Sequence, residues 1–197
     1  MDALTQKVLS SLFVELEASA RHVHLTESQA QTLFGHGLTE SRPLSQPGQY
    51  LARERVTVVG PRGKLERVAV LGPVRPAGQV ELSLTDARIL GIDAPIRLSG
   101  DIGDTPGCTL LGPEGEIFLP QGVIAAQRHI HLRPEDAACF GVTDRQVVSL
   151  RTYTRRPVVF RDVVVRVSGE FAPYAHLDFD EANACGFLPG DLGRIVP

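Results

Sequence analysis

The segment Arg21-His22-Val23-His24-Leu25 recurs in the second half of the chain as Arg128-His129-Ile130-His131-Leu132. Each copy leads into a Phe-Gly pair, Phe34-Gly35 in the first case and Phe140-Gly141 in the second. Two copies of such a distinctive segment with similar continuations indicate an internal duplication. We therefore expect two related halves with the same local structure.

The duplication extends to a second pair of segments. Residues 80–91 align without a gap on residues 175–186, and each ends in glycine. Both are typical of a strand that leads into a short helix with acidic residues in its first turn, closed by a glycine. In this alignment Glu81 falls on His176, and both are common metal-ligand types.

The His-x-His spacing predicts a metal site if it lies on a strand. Alternate strand residues point to the same face, so two imidazoles would lie side by side while Val23 or Ile130 points into a core. Two such imidazoles form half of a tetrahedral zinc site. One isolated pair would usually be two exposed histidines, but its repetition in a duplicated chain favours metal binding.

Each half then offers three candidate ligands. Three protein ligands leave a position open for water or substrate, as in catalytic zinc sites. Cys-x-x-Cys is absent and the three cysteines are widely spaced, which predicts nitrogen and oxygen ligands and a reducing cytoplasm. The ligand sets are His22, His24 and Glu81 in the first half, and His129, His131 and His176 in the second.

Composition excludes several classes of protein. The chain has 197 residues, of which 43% are hydrophobic and 22% charged, as is ordinary for a globular protein. Its net charge of −3 gives no general attraction to nucleic acid. No apolar run approaches the roughly 20 residues of a membrane span, and no secretory signal is recognisable.

Short apolar runs rich in β-branched residues, broken by Gly and Pro, predict a mainly β fold with short helices. The duplication favours two β-barrels capped by these helices, with helix starts near Thr26, Ser83 or Thr85, Pro134 and Asp180. We expect an N-terminal helix over residues 1–12 and barrel halves over 13–105 and 106–197, between which early strands could be exchanged. The helix could pack locally, which we favour, or bind a partner.

Basic residues offer candidate anion sites. Arg75 lies in a Gly-Pro-containing loop six residues before Glu81, so its guanidinium could reach a phosphate beside the metal. A solvated loop arginine is the alternative. Arg155, Arg156 and Arg161 could bind an acidic ligand or be solvated.

Taken together, these motifs resemble the phosphate propanoyltransferases, a family of phosphate acyltransferases. The resemblance runs from about Leu16 to Pro197. It is carried by residues 19–25, 44–49, 71–75, 79–81, 128–131, 160–163 and 176–184.

The resemblance implies two β-barrels with two zinc ions per chain, and transfer of a propanoyl or acetyl group between coenzyme A and phosphate. It implies that the two ligand sets bind the zinc ions, that Arg75 holds phosphate and that coenzyme A contacts four residues: Ser19, Arg42, Leu71 and Asn183. Position 69 departs from the family pattern, being Ala where a basic residue is expected. Many members work inside bacterial microcompartments, which makes shell or core proteins candidate partners.

Two alternatives stay open at this point. A dinuclear zinc hydrolase could act on thioesters through metal-bound hydroxide, but such enzymes usually bridge their metals with a carboxylate, and Glu81 is the only one in the ligand sets. A non-catalytic metal-binding barrel would leave the open coordination positions unexplained.

The oligomeric state and the preferred acyl group are separate questions. We expect a homodimer. The preferred acyl length is open because one methylene changes binding by only about 1–3 kcal/mol.

Overall fold

The structure is a computed structural model that describes residues 12–196. These residues form fifteen strands and four short helices, so the expected mainly β fold with short helices is confirmed. None of the helices in this range has the length and apolar character needed to cross a bilayer.

Runs of one to five strands are separated by four helices of seven or eight residues. The strands are β1 (Val14–Ser19), β2 (His22–His24), β3 (Glu40–Pro43), β4 (Tyr50–Val59), β5 (Lys64–Gly72), β6 (Gln79–Leu82), β7 (Ile96–Arg97), β8 (Cys108–Leu111), β9 (Glu116–Leu119), β10 (Val123–Ala126), β11 (His129–Leu132), β12 (Val147–Tyr153), β13 (Val159–Val167), β14 (Tyr174–Asp178) and β15 (Leu192–Val196). The helices are α1 (Glu27–Phe34), α2 (Leu84–Leu90), α3 (Pro134–Phe140) and α4 (Phe179–Cys185).

One compact unit contains residues 12–19 and 127–196 and is built on a closed barrel. Its strand order is β1-β14-β11-β13-β12-β15, and β15 closes the ring by pairing antiparallel with β1. The barrel interior is filled by side chains such as Leu16, Ile130, Leu150 and Leu177, each at most 2% exposed. Closure removes the free strand edges that would otherwise invite pairing with another chain.

The other compact unit contains residues 20–126 and is built on a nine-stranded sheet. The order is β7-β10-β6-β2-β5-β4-β8-β9, with β3 paired to β4. This sheet ends in the edge strands β7 and β9, so only one of the two units forms a closed ring. A turn at residues 60–63 joins β4 to β5, and there the Gly60 N–H donates to the Gly63 carbonyl over 2.9 Å. A Cβ at Gly60 would lie 2.4 Å from the Leu90 carbonyl oxygen, so a larger residue would displace α2.

Strands β1 and β10 occupy equivalent places in the repeat, since each immediately precedes a His-x-His copy. Strand β1 nevertheless belongs to the barrel, where it pairs in parallel with β14. Strand β10 belongs to the other unit, where it pairs in parallel with β6. The barrel therefore contains the strand that precedes the first His-x-His copy, and the open sheet contains the strand that precedes the second.

The helices show the duplication at atomic detail. Ser83 caps α2 by accepting the N–H of Asp86, and Asp178 caps α4 by accepting the N–H of Glu181 over 2.8 Å. The predicted start of α4 at Asp180 is therefore displaced to Phe179, because the Asp178 carboxylate already satisfies a first-turn donor. The two repeated arginines also form equivalent ion pairs with the helices. Arg21 pairs with Asp86 of α2, and Arg128 pairs with Glu181 of α4.

Candidate metal and substrate sites

Strands β2 and β6 bring the first predicted ligand set together. His22 lies directly opposite Glu81 across this antiparallel pair, and His24 lies two residues along on the same face. Glu81 Oε1 is 3.4 Å from His22 Nε2 and 3.5 Å from His24 Nε2. All three residues are buried, and their candidate ligand atoms lie within 4.8 Å of one another. We call these three residues the Glu81 cluster.

The electrostatics of the Glu81 cluster favour a bound cation. His22 Nδ1 is 2.8 Å from the Ala20 carbonyl oxygen, which can only accept, so this nitrogen carries a proton. In neutral His22 the Nε2 lone pair then faces a carboxylate oxygen, and two acceptors this close need a proton or a metal ion between them. Burial alone would lower the pKa of His22. The neighbouring Glu81 carboxylate outweighs this effect, so that the pKa is raised. Burial alone would raise the pKa of Glu81. Its contacts with His22 and His24 outweigh burial and keep this pKa well below the usual range.

A chain of hydrogen bonds joins Arg75 to this cluster. Arg75 Nη1 donates to Ser99 Oγ over 2.9 Å, and Gln79 Nε2 donates to the same oxygen over 3.0 Å. Gln79 Nε2 also donates to Glu81 Oε1 over 2.6 Å, while its own Oε1 accepts the Gly100 N–H. Burial and the Glu81 carboxylate have the larger effects on the pKa values of His22 and His24, and the positive charge of Arg75 acts in the direction that lowers both. The half-buried Arg75 guanidinium is thus linked to Glu81 through the side chains of Ser99 and Gln79.

Strands β11 and β14 bring the second predicted ligand set together in the barrel unit. His129 lies directly opposite His176, and their rings stack with centroids 4.9 Å apart. His131 Cα pairs with Tyr174, and the His131 ring is 4.8 Å from that of His176. The candidate ligand atoms of the three histidines also lie within 4.8 Å of one another. We call them the three-His cluster.

Several ring nitrogens in the two clusters are available to a metal ion. His129 Nδ1 is 2.9 Å from the Gln127 carbonyl oxygen, which leaves Nε2 unprotonated in the neutral ring. Within the described part of the chain, His24 Nδ1 and both ring nitrogens of His131 are buried without a hydrogen-bond partner. Burial, with contributions from His129 and Arg166, lowers the pKa of His131 to about 2, so the ring stays neutral. Buried ring nitrogens of this kind are suited to zinc, since metal coordination would satisfy them.

A surface pocket of about 470 Å³ lies in the barrel unit next to α4. Arg155 and Arg156 line it on one side, and Phe179 and Phe187 supply aromatic rings. Asn183, a predicted coenzyme A contact, is also part of this lining. The pocket therefore combines two cations with aromatic surface, a pairing suited to a phosphorylated nucleotide.

The remaining predicted contact residues fall in different units. Ser19 ends β1 in the barrel unit, next to the pocket residue Ala18. Arg42 and Leu71 lie in the other unit, in one row across the sheet, because both pair with Leu51 of β4. Ala69, the departure from the family pattern, pairs with His22 in register.

Three residues around the two clusters could not be recognised from the sequence. Ser99 follows a two-residue strand, so nothing in the local pattern distinguishes it from an ordinary loop serine. Phe171 stacks on His131 with ring centroids 4.1 Å apart. Glu17 Oε2 lies 3.2 Å from His176 Nδ1, but in the sequence Glu17 is merely the polar position of an alternating strand. Tertiary pairing alone identifies these contacts.

Comparison with known proteins agrees with this arrangement. A sequence model of the phosphate propanoyltransferase family matches residues 15–188. A phosphate propanoyltransferase of Listeria monocytogenes is 48% identical over 198 aligned positions, which cover 100% of this chain and 93% of the relative. Proteins of the same name from Enterococcus faecalis and Salmonella typhimurium are 50% and 45% identical, covering 92% and 100% of this chain and 87% and 96% of those relatives.

These relatives carry the name of an acyltransferase, which confirms the expectation of an enzyme of this type. The matched range contains both His-x-His copies, Glu81, Arg75 and His176. The resemblance inferred from the motifs is therefore confirmed, and the chain belongs to the phosphate propanoyltransferase family.

Proposed function

We propose that this protein is a zinc-dependent phosphate acyltransferase that interconverts a short-chain acyl-CoA plus phosphate with an acyl phosphate plus coenzyme A. The observation that carries the proposal is the hydrogen-bond chain from Arg75 through Ser99 and Gln79 to Glu81. It holds a cation suited to phosphate beside a buried set of metal ligands. Family membership supplies the reaction class.

In the proposed reaction, Arg75 holds inorganic phosphate. Its guanidinium can donate two parallel hydrogen bonds to phosphate oxygens, a geometry that lysine cannot reproduce. Phosphate is already an anionic nucleophile at neutral pH, so no side chain has to remove a proton. One phosphate oxygen bonds to the thioester carbonyl carbon, the carbon–sulfur bond breaks, and coenzyme A leaves as the thiolate. The residues act mainly by positioning the two reactants.

The two clusters would hold one zinc ion each, through His22, His24 and Glu81 and through His129, His131 and His176. When bound, zinc supplies Lewis-acid stabilisation of the charge that develops on the carbonyl oxygen and the departing sulfur. Gln79 keeps the Glu81 carboxylate oriented by its 2.6 Å hydrogen bond. The Ala20 and Gln127 carbonyls keep the Nδ1 protons of His22 and His129 in place, so that Nε2 of each neutral ring is the unprotonated nitrogen that would coordinate the metal.

The pocket beside α4 is the proposed site for the phosphorylated adenosine end of coenzyme A. Arg155 and Arg156 would pair with its phosphates, and the phenyl rings of Phe179 and Phe187 would contact adenine. Ser19, Arg42, Leu71 and Asn183 are proposed coenzyme A contacts on the strength of the family resemblance.

Substitution of both pocket arginines tests this assignment. Arg155→Ala with Arg156→Ala is expected to raise the KM for acyl-CoA at least ~10-fold with little change in kcat, because the contacts are remote from the thioester. The matched measurement uses an acyl-pantetheine substrate, which lacks the nucleotide and should be insensitive to the double substitution. An equal loss with both substrates would place the arginines elsewhere in the mechanism.

One assay tests the proposed reaction against its two rivals. The purified protein is incubated with propanoyl-CoA or acetyl-CoA, with and without phosphate, and free thiol is followed. Thiol release that requires phosphate, with matching formation of acyl phosphate, is the expected result. Release without phosphate would indicate a hydrolase, and no release under either condition would indicate a metal-binding protein without this activity.

The resemblance also suggests a place and partners for the enzyme, namely a bacterial microcompartment and its shell or core proteins. The predicted helix over residues 1–12 lies almost entirely outside the described residues, so its role remains a proposal. We favour local packing, since a helix of about ten residues is marginal in water and needs a nearby surface. A homodimer is likewise proposed from the family.

Deletion of residues 2–11 separates the two roles of this segment. Local packing predicts a lower melting temperature or lower solubility of the truncated enzyme. A targeting role predicts an equally stable, active and more monodisperse enzyme that no longer enters the compartment. Size-exclusion chromatography, thermal melting and co-purification with compartments distinguish these results.

A further inference from the structure

The third ligand of each cluster has a different cross-strand neighbour. In the barrel unit, Glu17 of β1 lies in register beside His176 of the parallel strand β14. In the other unit, Ile124 of β10 lies in register beside Glu81 of the parallel strand β6. Glu17 and Ile124 stand at equivalent positions of the repeat, each five residues before the first histidine of its copy. The histidine ligand candidate His176 thus has an acidic neighbour, Glu17. The carboxylate ligand candidate Glu81 has an aliphatic neighbour, Ile124.

The Glu17 carboxylate makes a specific contact. Its Oε2 is 3.2 Å from His176 Nδ1, and the His176 side chain is only 11% exposed. A carboxylate oxygen accepts a hydrogen bond, so this contact favours the tautomer of neutral His176 that carries its proton on Nδ1. The unprotonated Nε2 is then the nitrogen available to a metal ion. In His22 and His129 the same tautomer is favoured by a backbone carbonyl that accepts the Nδ1 proton. In His176 the Glu17 carboxylate takes the place of that carbonyl.

We propose that Glu17 is a positioning residue for the metal site of the three-His cluster: it orients His176, fixes its tautomer and supplies the negative charge that this ligand set lacks. The inference deepens the proposed function and rests on its assignment of a metal ion to each cluster. The Glu81 cluster contains its carboxylate among the ligands themselves, and there the equivalent neighbour, Ile124, is fully buried and apolar. With Glu17, each of the two sites contains one carboxylate, either as a ligand or in contact with one.

Charge balance gives the physical reason. A divalent ion held by three neutral imidazoles keeps its whole charge inside the protein, and a carboxylate behind one imidazole offsets part of it. A hydrogen bond from Nδ1 to this carboxylate would also increase the electron density on Nε2 and restrict rotation of the ring. Loss of such a partner typically weakens metal binding about 10–100-fold. Glu17 is suited to substitution, because its side chain is 33% exposed and belongs to no hydrophobic core.

The test measures zinc affinity by competition with a chromophoric chelator. The Glu81→Gln background weakens the other cluster with a side chain of the same shape, so the three-His cluster is titrated alone. Glu17→Ala is expected to weaken this binding about 10–100-fold, and Glu17→Gln by less, because the amide oxygen still accepts the Nδ1 proton. Glu15→Gln is the matched control, since it removes the same charge from an exposed position of the same strand and should leave the affinity unchanged.

A second readout does not involve metal. Long-range proton–nitrogen NMR spectra of metal-free protein report the tautomer of His176, which is expected to be Nδ1–H in the parent and mixed in Glu17→Ala. Unchanged affinity and unchanged tautomer in Glu17→Ala, or an equal effect of Glu15→Gln, would overturn the inference alone. A three-His cluster that binds no zinc in the otherwise unaltered chain would overturn the metal assignment of the proposed function as well.

Discussion

Replacement of Arg75 by alanine is expected to lower phosphate-dependent acyl transfer by at least ~100-fold, which corresponds to about 2.7 kcal/mol of transition-state stabilisation. The guanidinium is linked to the Glu81 cluster through Ser99 and Gln79, and alanine would remove its proposed contact to phosphate. Zinc content should not change, because Arg75 is not a ligand and Gln79 still holds Glu81. Turnover is measured as acyl phosphate formation at saturating phosphate, and zinc by elemental analysis.

Two variants sharpen this prediction. Arg75→Lys retains the charge but loses the paired hydrogen bonds, so its turnover should lie between those of the parent and of Arg75→Ala. Arg97→Ala removes an exposed arginine of the same unit, paired with Asp101, and should keep nearly full activity. Parental activity of Arg75→Ala would remove this residue from the mechanism.

The second large effect concerns the metal ions. Protein purified without chelator is expected to contain about two zinc ions per chain, since the two ligand sets are separate and each is complete. His22→Ala and His129→Ala should each reduce the content to about one and abolish most of the acyl transfer. The cause is that a site left with two protein ligands binds zinc far more weakly.

His36→Ala is the matched control for these substitutions. His36 is the one histidine outside the two clusters, and its ring is exposed with Nδ1 against the Gly37 carbonyl oxygen. This variant should retain both zinc ions and full activity. Chelation of the parent should abolish turnover, and added zinc should restore it. A preparation that reaches the full rate without any transition metal would contradict the assignment.

The grouping of the candidate ligands was predictable from the sequence because the duplication makes two weak signals support each other. The spacing of His22 and His24 predicts one strand face, and the observed β2 places both rings beside Glu81. Glu81 itself would look like any solvated carboxylate, but its alignment with His176 identifies it as a ligand candidate. Helix starts were predictable to within a few residues, because capping depends on local hydrogen bonds such as that of Asp178.

The exchange of β1 and β10 between the two sheets could not be predicted from local sequence patterns. The alternation at Val14, Glu15 and Leu16 predicts a strand, but it does not say which sheet that strand joins. Pairing partners are selected by the fit of whole strands over long sequence separations, and β1 meets β14 more than 150 residues later in the chain. The same reason explains why one sheet closes into a six-stranded barrel and the other stays open.

The duplication, the mainly β character, the two sets of candidate ligands and the family were all predictable from the amino-acid sequence, because each depends on residue types at short or repeated spacings. Strand pairing in three dimensions was needed to find that Ser99 and Gln79 connect Arg75 to Glu81, that two arginines line a pocket with two phenylalanines, and that Glu17 contacts His176. These contacts join residues far apart in the chain. Their positions are set by strand register and packing, which no local spacing encodes.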